Sequence, residues 1–138
     1  MAIESLGRLV DVVPIAAGAG LSMKNAAGVL FVCTGADTFT LTSAPSFGGS
    51  YVTPGSIIVR TYKSTANNGT SAWTRVNQTA ANTVVNASGT VAFWVDGASL
   101  PDTHTYVKLS AAGSGLVTAI YSDLLVQRAP QNLAIKGA

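Results

Sequence analysis

Short runs in which hydrophobic and polar residues alternate dominate this chain, and they predict β-strands. Each run is rich in β-branched or aromatic residues and is bounded by Gly, Pro, Asn or Ser, as strands and their turns usually are. Helical periodicity is nearly absent, because the alanine-containing stretch 79–85 lacks an apolar stripe at 3.6-residue spacing. The predicted strands are residues 9–15, 29–34, 38–42, 57–62, 73–77, 83–86, 91–95, 106–110 and 116–126. We therefore expect an all-β fold, a single β-sandwich or barrel of a meander or jelly-roll-like type.

The alternation also predicts which side chains face the core. In the run 38–42, Phe39 and Leu41 alternate with threonines, so these two side chains are expected in the core and the threonines on the other face. The last run, 116–126, is apolar on both sides. A strand of this kind is covered on both faces, so we expect a second sheet or a neighbouring subunit against it.

The length of 138 residues fits one domain with arms at its ends. We expect an N-terminal arm or first strand in residues 1–20, a β-domain in 21–128 and an extended C-terminal arm in 129–138. Pro130 cannot enter a central strand, and Leu133 and Ile135 would be exposed on a free arm, so a docked arm is expected. Deleting residues 129–138 is expected to weaken partner binding and to leave a folded domain.

Charge is scarce in this sequence. Only 10% of the residues are charged and 48% are hydrophobic, whereas ordinary soluble domains carry about 25% charged residues. Because charged surfaces keep proteins apart and interface cores are depleted in charge, much of this surface is expected to face another protein. The net charge of +2 comes from Lys and Arg residues scattered singly, so no basic run is available for nucleic acid.

The sequence also bears on membrane insertion and export. Its apolar runs are too short to span a bilayer, and its start has no cationic region followed by an apolar stretch. We therefore expect no membrane partner and synthesis in the cytoplasm.

Candidate catalytic chemistry is thin, because the chain offers one Glu, five Asp and one His. His104 lies near Asp102 in a polar connection, but no Ser or Cys nucleophile motif accompanies the pair. Asp96, Asp102 and His104 are the nearest approach to a set of metal ligands, but all three are expected to serve in turns. Cys33, the single cysteine, lies in an apolar run and is expected in the core. The sequence thus predicts no catalytic, cofactor or metal site and no enzyme.

The aromatic residues point to a contact surface. Core packing is the default expectation for Trp73, Phe93, Trp94 and Tyr106, which lie in predicted strands. Phe93 and Trp94 are adjacent, however, so they point to opposite faces and at least one lies off the main core. That residue is a candidate partner contact. A carbohydrate-binding platform would require several aromatic side chains exposed together.

Four stretches carry a resemblance to a known class of proteins. They are residues 1–14 (MAIESLGRLVDVVP), 106–110 (YVKLS), 116–120 (LVTAI) and 125–133 (LVQRAPQNL). With these stretches the chain resembles small structural proteins of tailed bacteriophages. The resemblance implies a component of the virion head, a minor capsid or decoration protein on the lattice of the major capsid protein, made in the cytoplasm of the host bacterium.

The expected function is therefore capsid cementing, with faces and arms of the β-domain bridging capsid subunits. The expected partners are the major capsid protein and further copies of the chain, with a trimer as the expected symmetry. No cofactor is expected. The candidate partner contacts are Leu6, Val12, Trp94, Leu133 and Ile135.

Two alternatives stay open at this point. A tail tube or baseplate protein would also be small, all-β and self-associating. A carbohydrate-binding β module would place exposed aromatic residues such as Trp73 and Trp94 on one face.

Overall fold

Ten β-strands and two short 3-10 turns make up the computed structural model, which describes residues 5–7, 9–125 and 127–138. The 3-10 turns are Gly97–Ser99 and Pro130–Asn132. The strands are β1 (Val10–Val13), β2 (Leu21–Ser22), β3 (Ala26–Thr34), β4 (Asp37–Ala44), β5 (Ile58–Ser64), β6 (Thr74–Ala81), β7 (Thr83–Asn86), β8 (Thr90–Asp96), β9 (Tyr106–Ala111) and β10 (Leu116–Leu124).

The strands form two antiparallel sheets that pack face to face. The six-stranded sheet has the order β1-β10-β3-β8-β5-β6, and the four-stranded sheet has the order β2-β9-β4-β7. Along the chain the strands alternate between the two sheets, except that β5 and β6 follow each other in the six-stranded one. The all-β prediction is confirmed, and the fold is a β-sandwich rather than a closed barrel.

The core lies between the inner faces of the two sheets. Phe31 and Phe93 stack across neighbouring strands with ring centroids 5.6 Å apart. Phe39 and Leu41 face them from the four-stranded sheet and are fully buried, which confirms the prediction for the run 38–42. Complete burial of such a side chain contributes about 1.5–3 kcal/mol, so these inner rows supply most of the stabilisation. Cys33 is also fully buried, as predicted.

The last predicted strand, 116–126, ends at Leu124 in the structure, and residue 126 lies outside the described part of the chain. Its inner side chains, among them Val117 and Tyr121, are fully buried beneath the four-stranded sheet. On the outer side Leu116 stays 53% exposed. The second sheet therefore covers only one face of this strand, and cover by a neighbouring subunit remains a prediction.

One open side of the sandwich is bridged by the chain itself. After β6 the backbone passes through Asn82 into β7 and so changes sheet. The Gln78 side-chain amide donates to the carbonyls of Ile58 and Thr83 at 3.1 and 3.0 Å, and the Asn82 amide donates to the Leu41 carbonyl at 3.2 Å. These amides satisfy backbone carbonyls at the change of sheet, where ladder bonds are interrupted.

The opposite side is bridged by the C-terminal segment. The Ser22 amide donates to the Lys136 carbonyl at 2.9 Å, and the Lys136 ammonium donates to the Lys24 carbonyl at 3.0 Å. The same ammonium lies 4.7 Å from the centroid of the Tyr121 ring. Burial lowers the pKa of Lys136, and the nearby Asp11 carboxylate opposes this shift. The predicted C-terminal arm is thus docked on its own domain.

Candidate interaction surfaces

The five predicted contact residues are spread over two regions. Leu6 precedes the edge strand β1 and is 39% exposed, and Val12 lies within β1 and is 38% exposed. Ile135 is 81% exposed in the C-terminal segment, and Leu133 is half-buried there. Trp94, 41% exposed, lies three strands from β1 in the same sheet, about 14 Å away at the usual strand spacing.

Both ends of the chain meet at one edge of the sandwich. The Arg128 amide donates to the Gly7 carbonyl at 2.9 Å, and this bond joins the segment before β1 to the segment after β10. Several aliphatic side chains reach solvent along this edge, from the junction to the far end of β1, and in the C-terminal segment. We call them the terminal edge: Leu6, Leu9, Val12, Ile15, Leu125 and Ile135. Sequence reasoning missed three of these, because Leu9 and Ile15 fell inside a predicted strand and Leu125 inside another.

Ile15 holds an unusual backbone conformation in the terminal edge. Its φ of 51° lies in the left-handed region, which a β-branched residue rarely adopts. The conformation turns the chain out of β1 towards the four-stranded sheet, where the Gly18 amide donates to the Leu109 carbonyl at 2.8 Å. As a result the Ile15 side chain points outward and is 74% exposed.

An apolar row crosses the outer face of the six-stranded sheet. Cross-strand register places Val12 opposite Ile120, Ile120 opposite Leu30, and Leu30 opposite Trp94. Val12 and Trp94 are therefore the two ends of one row that spans β1, β10, β3 and β8. The sequence alone could not join them, because the row depends on pairing between strands far apart along the chain.

Trp94 lies on the sheet surface above Gly28. A Cβ atom at Gly28 would come within 2.7 Å of the indole Cε2 atom, so the absence of a side chain makes room for the ring. Beside the ring is a cleft of about 340 Å³ that also contacts Tyr62 and Arg60. Phe93, the neighbour of Trp94, is buried at 1% exposure, which confirms that this pair faces opposite sides.

A second cleft on the same face surrounds Trp73. It measures about 280 Å³, and its lining is rich in uncharged polar residues: Thr34, Ser64, Asn67, Ser71 and Thr90. Trp73 itself is 54% exposed. The default expectation of core packing was therefore wrong for Trp73, whereas the exposure of Trp94 agrees with the expectation that one member of the Phe93–Trp94 pair lies off the core.

The candidate titratable residues His104, Asp102 and Asp96 lie in separate local environments. The Nδ1 atom of His104 lies 2.7 Å from the Ser43 hydroxyl, so the histidine pairs with a serine. Ser43 is fully buried and cannot reach a substrate, and Asp102 is exposed. Asp96 accepts from the Ala98 amide at 3.2 Å and begins a 3-10 turn. Both aspartates thus lie in turns or connections.

Cys33, the single cysteine, is unreactive in the folded protein. Burial raises the pKa of the Cys33 thiol to about 12, which keeps it protonated and unreactive. Within the described ranges, no group of three or more His, Cys, Asp or Glu side chains could hold a metal ion. The same part of the chain contains no helix with the length and apolar character needed to cross a bilayer.

Comparison of the chain with protein-family models, with curated proteins and with solved structures gave no match. The terminal edge and the outer face of the six-stranded sheet are the candidate functional surfaces of the described chain.

Proposed function

We propose that this protein is a structural component of a tailed-bacteriophage head, a decoration protein whose terminal edge contacts the lattice of the major capsid protein. The observation that carries the proposal is the set of exposed aliphatic side chains along the edge strand β1, in the segments that flank it, and in the segments after β10. Ile135, Ile15 and Leu125 are 81%, 74% and 74% exposed. Apolar surface concentrated in one region of a weakly charged protein is typical of a protein contact.

The energetics suit a lattice partner. Complete burial of one aliphatic side chain contributes about 1.5–3 kcal/mol, so a few such contacts give a modest affinity for a single subunit. A capsid offers the same site many times, and copies that also touch each other bind with a higher effective concentration. Binding to the assembled shell and not to free subunits then stabilises the shell by mass action. Contact between copies, with a trimer as the expected symmetry, is part of this proposal.

The resemblance to phage structural proteins supports the class of protein, a virion structural component, and assigns no contact residue. The strained backbone at Ile15 adds a physical argument, because a left-handed β-branched residue costs about 1–2 kcal/mol. A conformation of that cost, which exposes an apolar side chain, is expected where a partner covers the residue.

The test is binding to heads that lack the protein. Heads assembled from the major capsid protein of the phage that encodes this chain are mixed with purified protein and sedimented, and the bound fraction is measured. The double variant Leu125→Ser, Ile135→Ser is expected to lower the affinity at least about tenfold, since each tenfold step corresponds to about 1.4 kcal/mol. Equal binding of the variant and the natural protein would remove the terminal edge from the mechanism.

A control variant and the choice of point substitutions sharpen this test. Val85→Ser changes a side chain that is 58% exposed on β7, at the far edge of the four-stranded sheet, and is expected to leave head binding unchanged. Point substitutions are preferable to deleting residues 129–138, because Lys136 of that segment is buried against Tyr121 and deletion would open the core. If the protein ignores heads and forms rings or tubes alone, the tail alternative replaces the proposal.

A further inference from the structure

Three exposed aromatic side chains share the outer face of the six-stranded sheet, away from the terminal edge. Tyr62 and Trp94 are each 41% exposed, and Trp73 is 54% exposed. At about 200 Å² for a full aromatic side chain, they leave about 270 Å² of aromatic surface open to solvent in total. Several large aromatic side chains exposed on one face form a candidate binding surface. We call these three residues the aromatic platform.

Polar groups lie beside the aromatic side chains of the platform, most densely around Trp73, where the cleft is lined mainly by hydroxyl and amide side chains. The cleft beside Trp94 and Tyr62 is lined otherwise by Ile57, Ile58, Val59 and Arg60, and Arg75 lies directly opposite Tyr62 on β6. Aromatic rings beside both hydrogen-bonding and aliphatic groups are suited to a ligand that is itself half apolar and half polar.

The ligand class with this character is an oligosaccharide. The C–H groups on one side of a pyranose ring carry partial positive charge and stack on the negative face of an aromatic ring. The hydroxyl groups at the rim of the sugar then require hydrogen-bond partners, which the side chains of Thr34, Asn67 and Arg60 can supply. We propose that the aromatic platform binds an oligosaccharide chain, with sugar rings stacked on Trp94 and on Trp73.

The spacing of the two clefts fits a chain of several sugars. Thr90 of the Trp73 cleft and Trp94 of the other cleft lie on the same face of β8, four residues apart. At about 3.3 Å per residue they are about 13 Å apart along the strand, and Tyr62 sits opposite Ala92 between them. Because Gly28 lets the Trp94 ring lie on the sheet, its outer side stays free for a sugar.

The two tryptophans of the chain both belong to the platform, so their fluorescence reports binding directly. The protein is titrated with chito-oligosaccharides, cello-oligosaccharides, mannan oligomers and alginate oligomers, which cover acetylated, neutral and acidic sugars. At least one probe is expected to quench and blue-shift the emission with saturation. Trp94→Ala and Trp73→Ala are each expected to weaken binding of that probe about tenfold, as loss of a stacked ring implies.

Phe47→Ala is the matched control, because Phe47 is an aromatic residue 48% exposed beside Tyr106, in the loop after β4. It is expected to leave sugar binding unchanged. Absence of a response to every probe would overturn the proposal. So would an emission shift that depends on protein concentration alone and accompanies dimers in ultracentrifugation, since the platform would then be a contact between copies.

This inference goes beyond the proposed capsid function, and separate experiments can refute the two proposals independently. The platform variants Trp73→Ala and Trp94→Ala are expected to bind heads as the natural protein does. The terminal-edge variant Leu125→Ser, Ile135→Ser is expected to bind the sugar probe unchanged. Loss of both activities in one variant, with an altered circular dichroism spectrum, would show that the variant is misfolded. The single variants Trp94→Phe and Trp73→Phe, each of which keeps a ring and leaves one tryptophan as the reporter, would then repeat the test.

Discussion

Substitution of Gly28 by alanine tests the packing of Trp94 on the outer face. The new Cβ atom would come within 2.7 Å of the indole Cε2 atom and within 2.6 Å of the Val95 carbonyl oxygen. The indole can move, but the carbonyl belongs to the backbone of the central strand β8. Overpacking of this kind costs about 1–3 kcal/mol, and for a domain of this length each kcal/mol lowers Tm by about 4 °C. We therefore expect Gly28→Ala to lower Tm by about 4–12 °C.

The assay combines thermal unfolding followed by circular dichroism with tryptophan emission. In a Trp73→Phe background the remaining emission comes from Trp94, so its shift on introducing Gly28→Ala shows whether the ring has moved. Gly48→Ala is the control, because nothing lies within 4 Å of its added Cβ atom, and surface changes of that kind usually stay within about 0.5 kcal/mol. Equal Tm values for Gly28→Ala and Gly48→Ala, with unchanged emission, would refute the packing of Trp94 over Gly28.

Three further predictions concern titratable or polar groups. Cys33 is fully buried with its pKa raised to about 12, so a maleimide should label the thiol only after denaturation, and rapid labelling of the native protein would contradict its burial. Hydrogen bonds led by that from the Gly115 amide lower the pKa of Asp37 from 3.8, so its carboxylate stabilises the fold above that pH and the contribution is lost as the pH falls further. The Tm advantage of the natural protein over Asp37→Asn should accordingly shrink between neutral pH and pH values below 3.8, and a constant gap would contradict the role. The Tyr121 hydroxyl is buried without a partner among the described protein atoms, so Tyr121→Phe should leave the free energy of unfolding equal or slightly higher in urea titration, whereas a loss above about 1 kcal/mol would reveal a partner for the hydroxyl.

Much of the fold could be predicted from local pattern. The run 83–86 matches β7 at both ends, and the alternation in 38–42 assigned Phe39 and Leu41 to the core correctly. The two-residue strand β2 was missed, because Leu21–Ser22 is too short to show alternation and pairs with β9 only through the tertiary fold.

The candidate surfaces were less predictable, for two physical reasons. Trp73 was expected in the core because aromatic residues in strands usually pack there, yet burial depends on which face the register selects. The docking of the C-terminal segment depends on Lys136, whose burial is compensated by a carbonyl and an aromatic ring from distant parts of the chain. Neither arrangement leaves a local signal in the sequence.

The pairing of β1 has a consequence for how the protein is made. Among the described strands β1 pairs only with β10, and β10 also pairs with β3, so the six-stranded sheet is incomplete until residues 116–124 have left the ribosome. Until then the nascent chain carries unpaired strand edges and cannot fold stepwise from its start. The domain is therefore completed only after residue 124 has emerged, and a truncated product that ends before residue 116 is expected to aggregate or to be degraded.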